Sequence, residues 1–374
     1  MSSMRDRFPI LGHKTYLNSC SYGALADSVE QSLLDYLRDR RERGACWEQW
    51  VGQQEQLRDK TAALLGASAD EIAIVPSLTA GFNALVSCLD FQGERNRVVA
   101  TSYDFPTTAQ IWHAQKHRGA QIAVAQLDEA QDPLAALDTL IDEHTQVVSI
   151  PWVCYRNGRR LDVAAVAALA HSRGALVVVD GYQGVGTIAC DMAAMQADVL
   201  LGGYLKYLLG TAGVAFMYVR AALVKTLQPT TSGWFAQEDV HAMAIADNVP
   251  AASARRFEGG TPDVSGLYAC NAGLDLLAEV GIGEISRRIA AITASIRQGI
   301  ARRGWRLASG DWSHGAMLAL RCHDMVALVE RLAAEGVVVS CRDSNIRISP
   351  HFYNNQDDVQ ALFAALEKHR ELLD

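Results

Sequence analysis

Short apolar runs rich in β-branched residues alternate with longer amphipathic stretches through the first two thirds of the chain. The runs have the character of buried strands, and the stretches between them carry apolar residues at helical spacing. The predicted strands are residues 72–75, 97–101, 121–125, 147–153, 175–179, 199–201 and 213–219. Because parallel neighbouring strands need a crossover helix, this alternation predicts an α/β fold with a mostly parallel sheet of the seven-stranded type, covered by helices.

The pattern changes near residue 254. Two long helical patterns, at residues 264–280 and 285–303, are followed by short strands and further helices. We therefore expect a large α/β domain at residues 15–253 and a smaller C-terminal α+β domain at residues 254–374, with residues 1–14 packing near the smaller one.

Composition and charge narrow the classes of partner. The chain has 374 residues, of which 49% are hydrophobic and 20% charged, and its net charge is −8. No basic face or arm is visible, so we expect no nucleic-acid partner. No apolar stretch approaches the roughly 20 residues that a membrane helix needs, so we expect no membrane contact. The 8 cysteines lack metal-binding spacing and no apolar signal segment follows Met1, which predicts no metal site and a cytoplasmic location.

An aspartate and a lysine follow two of the predicted strands. Asp180 ends an apolar β-branched run, and Lys206 follows a second run and stands between glycines rather than on a charged face. Ligands of such sheets bind at the carboxyl ends of the strands. The two groups suit pyridoxal 5′-phosphate (PLP), with Lys206 as the Schiff-base lysine, Asp180 on the ring nitrogen and Gln183 near the phenolic oxygen. Alone, each has a simpler explanation, a turn-capping aspartate or a solvent-exposed lysine, but the pair favours the cofactor.

These residues belong to a longer series of motifs. The series runs Asp180-Gly181-Tyr182-Gln183, Lys206, Gly210-Thr211-Ala212-Gly213 and Phe216-Met217-Tyr218-Val219-Arg220. It resembles the class V aminotransferases, a PLP superfamily that includes cysteine desulfurases, kynureninases and isopenicillin N epimerases. The resemblance extends over nearly the whole chain, and it implies the PLP-dependent transferase fold of type I.

Two further segments concern the rest of the cofactor. Leu78, Thr79 and Ala80 occupy the family's phosphate-binding turn, where a strand meets a helix N-terminus that attracts anions. Helix capping by Ser77 or Thr79 explains that segment equally well. Phe105 takes the place of the aromatic residue that stacks on the cofactor ring, and the alternative is a core phenylalanine before a helix-starting proline.

The resemblance also implies a substrate clamp and a second subunit. Arg347 matches the arginine that binds the substrate α-carboxylate, for which a guanidinium fork is well suited. Thr261 matches a threonine that reaches the phosphate of the partner subunit's cofactor, which implies a homodimer with shared active sites. Trp234 lies in another matching segment and Cys20 in one close to the substrate, so both are candidate substrate contacts.

The chain departs from the family pattern at positions that separate its reactions. Cys341 lies outside the mobile-loop context of the desulfurase cysteine, so we expect it to be structural. Leu205 stands where desulfurases have histidine, and Tyr204 could partly replace the missing contact to the cofactor. Thr108 stands where kynureninases have aspartate, which argues against kynurenine cleavage.

The resulting prediction is an enzyme that acts on a small-molecule α-amino acid, with Lys206 moving the Cα proton to give a carbanion. We favour a lyase or an aminotransferase that works without a catalytic cysteine. An epimerase of the isopenicillin N epimerase type and a cysteine or selenocysteine lyase are alternatives. A non-catalytic binding or scaffold protein of the same fold is the alternative from a different class.

Overall fold

A computed structural model describes residues 4–128, 131–308, 310 and 312–374. The strands are β1 Thr15–Tyr16, β2 Ile72–Val75, β3 Arg97–Thr101, β4 Gln121–Ala125, β5 Thr145–Pro151, β6 Leu176–Asp180, β7 Val199–Gly203, β8 Ala215–Val219, β9 Leu318–Arg321, β10 Val337–Val338, β11 Ser340–Arg342 and β12 Asn345–Ile348. The α-helices are α1 Asp27–Arg43, α2 Trp47–Leu65, α3 Leu78–Ser87, α4 Pro106–Ala114, α5 Pro133–Asp138, α6 Val163–Ser172, α7 Met192–Met195, α8 Ala221–Val224, α9 Val264–Val280, α10 Ile282–Arg302, α11 Met325–Ala334 and α12 Gln356–Lys368.

A seven-stranded sheet forms the centre of the molecule, in the order β2-β8-β7-β6-β5-β3-β4. β8 runs antiparallel to its neighbours β2 and β7, and the pairings from β7 through β6, β5 and β3 to β4 are parallel. Successive side chains of β6 enter different cores, since Val177 and Val179 join one apolar cluster and Val178 joins another. A strand buried on both faces must be apolar at every position, which explains the continuous β-branched run. The predicted fold class is confirmed.

A three-stranded antiparallel sheet, β11-β12-β9, lies in the C-terminal part. Helix α10 spans two cores, because Ile285 and Ile289 pack with the large sheet whereas Ile296 and Ile300 pack with the small one. Helix α9 also packs with the large-sheet core, against α1 and α2. We propose that the two packing units divide within α10 rather than at residue 254. The N-terminal β1 pairs with β10, so this segment connects the two units.

The parallel strands β5, β6 and β7 all end at one edge of the large sheet. The chain continues there from Asp180 into a turn, and from Gly203 through a second turn to Lys206. Strand β2 ends at the same edge, because β2 and β7 both run antiparallel to β8, and it leads through Ser77 into α3. This edge gathers the predicted site residues.

Candidate active site

A cavity of about 340 Å³ opens at this edge of the sheet. Its size lies within the range of small-molecule sites. Residues from six parts of the chain line it, among them Ser21, Ser77, Leu78, Thr79, Phe105, Tyr155, Asp180, Tyr182, Gln183 and Lys206. Several predicted site residues therefore share one cavity.

Lys206 lies in the turn after β7. The N-terminal segment crosses this turn closely, since Gly23 N donates to Leu205 O at 2.8 Å and a β-carbon at Gly23 would lie 2.3 Å from Lys206 O. Burial lowers the pKa of Lys206 to about 8, although Cys20 and Asp180 act to raise it. A lysine with a pKa near 8 is substantially neutral, and therefore nucleophilic, under mildly alkaline conditions.

Asp180 ends β6 and lines the same cavity. Its Oδ1 accepts a hydrogen bond from Tyr182 N at 2.9 Å. Burial raises the pKa of Asp180, while this hydrogen bond and the charge of Lys206 oppose the increase. A second cation in the cavity, such as a protonated pyridine nitrogen, would stabilise the carboxylate.

Gln183 and Cys20 bring the N-terminal segment to the cavity. Gln183 Nε2 donates to Cys20 O at 3.0 Å, and Cys20 N donates to Ser349 Oγ at 2.9 Å. Gln183 Oε1 is buried and has no hydrogen-bond partner within the described ranges. Since buried amide oxygens are nearly always hydrogen-bonded, this atom indicates a polar ligand group beside it.

The N-terminus of α3 forms another wall of the cavity. Ser77 Oγ accepts from Ala80 N at 3.1 Å, so helix capping does occur at this position, and α3 begins at Leu78. The first-turn N–H groups of Leu78 and Thr79 remain to receive an anion, together with the Thr79 hydroxyl. Capping and anion binding are therefore compatible in this turn.

Phe105 precedes α4, and 38% of its surface is exposed. Its ring contacts Tyr155 edge to face, with 4.9 Å between the ring centroids. The free part of the Phe105 ring faces the cavity that it lines, as a stacking residue requires.

Arg347 lies on β12 between Ile346 and Ile348, which are both buried in the small core. Its side chain takes the opposite direction, toward Ser340 Oγ, Tyr155 O and Ser21 Oγ, at 3.2, 3.1 and 3.2 Å. These acceptors are neutral oxygens, so the guanidinium charge is available to a carboxylate that enters beside Ser21 and Tyr155.

The structure does not bring every predicted residue to the cavity. The Tyr204 side chain is fully buried in the core, where its hydroxyl hydrogen bonds to Thr61 Oγ1 at 2.6 Å, because the strand alternation at the end of β7 turns it toward α2. Trp234 packs against Trp47 and Phe235, and Thr261 lies in an exposed loop. Both lie outside the walls of this cavity within the described chain.

Sequence reasoning missed Tyr182, Tyr155 and Ser21, which all line the cavity. Tyr182 stands between Asp180 and Gln183, so its position immediately after a strand end was the available signal. Ser21 follows Cys20 in the segment that resembles a substrate-proximal one, so that resemblance was the available signal, and the long-range pairing of β1 with β10 holds the segment in place.

Cys341 lies on β11, opposite Ile346 of β12, and packs against the small core. The connection between these strands is a tight turn in which Asp343 and Ser344 have φ of 51° and 58°. Such two-residue left-handed turns join hairpin strands directly. A two-residue turn rather than a long loop therefore joins β11 and β12, and Cys341 lies on a regular strand.

The residues present fit PLP. The cavity offers an amine at Lys206, a carboxylate at Asp180, a helix N-terminus for the phosphate at Leu78 and Thr79, and an aromatic face at Phe105. The Gln183 oxygen supplies a further polar contact. The fold and this donor set define a PLP-dependent enzyme.

Comparison with known proteins identifies the family. The family model of the class V aminotransferases matches residues 29–362, so the chain belongs to that family. An uncharacterised aminotransferase of Bacillus subtilis is 35% identical over 357 residues, which cover 95% of this chain and 94% of the relative. A kynureninase of Deinococcus radiodurans is 31% identical over 307 residues, which cover 78% and 72%. The apo structure of a cysteine desulfurase from Thermococcus onnurineus superposes with a TM-score of 0.87 at 20% identity over 99% of each chain, which shows the shared fold.

Within residues 4–128, 131–308, 310 and 312–374, no helix combines the length and the apolar character needed to cross a bilayer. The same residues contain no cluster of three or more potential metal ligands.

Proposed function

We propose that the protein is a lyase or an aminotransferase for a small α-amino acid, with Lys206 as both the covalent anchor of PLP and the proton-transfer group. The observation that carries this proposal is the shared cavity of Lys206 and Asp180, with Arg347 linked to its wall through Ser21 and Tyr155. Membership of the class V aminotransferase family supports a catalytic role for these residues.

We assign each site residue a separate role according to its position. Arg347 binds the substrate carboxylate and so orients the Cα hydrogen toward Lys206. Lys206 Nζ takes the Cα proton as a neutral amine, which its lowered pKa makes accessible near neutral pH. When bound, PLP supplies an electron sink for the charge left on Cα. Asp180 would keep the pyridine nitrogen of the cofactor protonated, and Phe105 would shield the cofactor ring from water.

A cysteine-dependent reaction receives no support from the hairpin. Cys341 faces the small core on a regular strand, and its two-residue turn cannot carry a thiol to the cavity. Cys20 is nearer the site, but its backbone is fixed on both sides by Ser349 and Gln183. We therefore propose chemistry in which Lys206 moves the proton without help from a persulfide-forming thiol.

An amino-acid panel tests the reaction. Purified protein is mixed with each amino acid, with and without an acceptor keto acid, and keto-acid and sulfide release are measured beside the Lys206→Ala variant. If the amino acid gives its keto acid only when the acceptor keto acid is present, the enzyme is an aminotransferase. If pyruvate or sulfide forms in the absence of the acceptor, the enzyme is a lyase. Racemisation of the substrate without either product would instead support the epimerase alternative.

We also propose a homodimer in which Thr261 of each chain serves the phosphate site of its partner. Thr261 is exposed and outside its own chain's cavity, as a residue that acts across an interface would be. Trp234 lies beside it in the fold, within 4.0 Å of the position of a β-carbon on Gly260, and is proposed as a partner-facing substrate contact. Mixing Lys206→Ala and Thr261→Asp subunits tests this, because the mixed dimer contains one complete site and should regain activity that neither variant has.

The proposed location is the cytoplasm. The eight cysteines are all free, which suits a reducing compartment. Fractionation of the native host with an antibody to the protein tests this location.

A further inference from the structure

Lys206 lies over an aromatic ring that the site description above does not use. Its Nζ is 4.5 Å from the ring centroid of Tyr182 and 6.0 Å from that of Phe105. An ammonium within about 6 Å of a ring centroid is attracted by the negative ring face, so the Tyr182 ring is well inside that range and Phe105 lies at its limit.

The position of the Tyr182 ring is fixed by its surroundings. Tyr182 N donates to Asp180 Oδ1 at 2.9 Å, and the side chain packs on the core cluster beneath the sheet edge. The phenol end of the ring lies against Gly203 at the end of β7, where a β-carbon would lie 2.2 Å from the Tyr182 hydroxyl oxygen. Glycine at position 203 therefore makes the space that the ring occupies.

We propose that Tyr182 is a positioning residue for Lys206, whose protonated amine rests on the Tyr182 ring face while it is not attached to the cofactor. The proposal rests on the proposed function, since it concerns the proton that Lys206 carries between attachment and release. The ring stabilises the charged amine within reach of the cavity and so opposes the effect of burial.

The groups around Lys206 shift its pKa in both directions. Burial lowers the pKa of Lys206, Cys20 from the N-terminal segment and Asp180 from β6 act to raise it, and Arg347 from β12 acts to lower it. Burial also raises the pKa of Tyr182, so its phenol stays neutral and presents an uncharged ring face. Because this face stabilises the protonated amine, removing it should lower the pKa of Lys206.

The test follows the yellow colour that forms when PLP is added to the cofactor-free full-length protein at a series of pH values. The rate of colour formation depends on the fraction of Lys206 that is neutral. The pH at which this rate is half-maximal, its midpoint, therefore reports the pKa of Lys206. In Tyr182→Leu and in Tyr182→Met, which both remove the ring, we expect the midpoint to fall by about 0.4 to 1.5 pH units from its wild-type value. Tyr182→Phe keeps the ring face and should keep the wild-type midpoint.

Phe105→Leu is the matched control. At 6.0 Å from Nζ its ring contributes little, so this variant should bind PLP more weakly but keep the midpoint. A midpoint unchanged in both Tyr182→Leu and Tyr182→Met, or lowered equally in Tyr182→Phe, would overturn the positioning role. Wild-type protein that develops no colour at any pH would instead overturn the proposed function.

Discussion

Two pairs of opposite charges lie below the surface, one in the core and one at the cavity, and they are built differently. In the core, Arg58 Nη1 lies 2.5 Å from Glu258 Oε1, and both side chains are almost fully buried. Glu258 also accepts from Gln54 Nε2 and from Ile74 N, each at 2.8 Å. Burial acts to lower the pKa of Arg58, but Glu258 and Glu55 outweigh burial and raise it. Burial also raises the pKa of Glu258, so in the core pair only Arg58 is shifted toward its charged form.

At the cavity, burial lowers the pKa of Lys206 and raises that of Asp180, so both groups are shifted toward their neutral forms. The core pair has partners that satisfy its charges, and it fixes the segment before the exposed Thr261 loop to α2 and β2. In the cavity pair, the carboxylate accepts a backbone hydrogen bond from Tyr182, and both pKa values are displaced by burial, which is the usual electrostatic character of a catalytic site.

The largest effect is expected from a substitution that breaks the cavity pair. Lys206→Ala should lower kcat by about 10³-fold or more, because the variant loses both the covalent anchor and the proton-transfer group. Its free energy of unfolding without cofactor should equal or exceed that of wild type, since a desolvated amine is removed. Steady-state rates and urea unfolding measure the two quantities, and an active Lys206→Ala protein would remove this residue from the mechanism.

Breaking the core pair should act on stability instead. Glu258→Gln removes the buried carboxylate partner of Arg58 and leaves only the half-exposed Glu55 beside it. We expect a loss of about 3 kcal/mol in the free energy of unfolding, at the lower end of the cost of breaking a buried ion pair. The matched control is Glu335→Gln, which removes a surface ion pair with Lys368 and should change the free energy of unfolding far less. Equal effects of the two substitutions in urea unfolding would contradict the distinction between the pairs.

Asp180→Asn should separate activity from stability at the cavity. The substitution removes the charge that holds the ring-nitrogen proton, so kcat should fall by about 10²-fold. The free energy of unfolding should change little, because burial already disfavours the Asp180 carboxylate. A strongly destabilised variant would mean that Asp180 is a structural charge like Glu258.

The smallest effect concerns the pH dependence of stability. The pKa of Lys206 is lowered from 10.5 to about 8 in the folded chain. The unfolded chain therefore binds more protons between about pH 8 and 10.5, and stability should rise with pH across this window by about 2 kcal/mol. Lys206→Met should lack this increase, and unfolding of both cofactor-free proteins at pH 7.5 and 10 measures the difference. An identical pH dependence in the two proteins would show that Lys206 is not desolvated.

The sequence predicted the parts of the molecule whose signals are local. The continuous apolar run before Asp180 follows from a strand buried on both faces, and the glycines around Lys206 mark a turn at the sheet edge. Both side chains line the cavity because parallel strands end on one side.

The parts that were missed depend on distant partners. Tyr204 turns to Thr61 on α2, and the Tyr182 ring occupies space that Gly203 provides on another strand. The domain boundary near residue 254 stays a prediction, and the packing of α9 on α1 and α2 favours the proposed division within α10.

The most direct test of the central claim is to reduce the purified protein with borohydride and to map the modified peptide by mass spectrometry. We predict that the protein is yellow and that the reduced phosphopyridoxyl group is found on Lys206. A modified lysine elsewhere, or a colourless protein that gains no label after incubation with PLP, would contradict the assignment of Lys206 as the anchor of the cofactor.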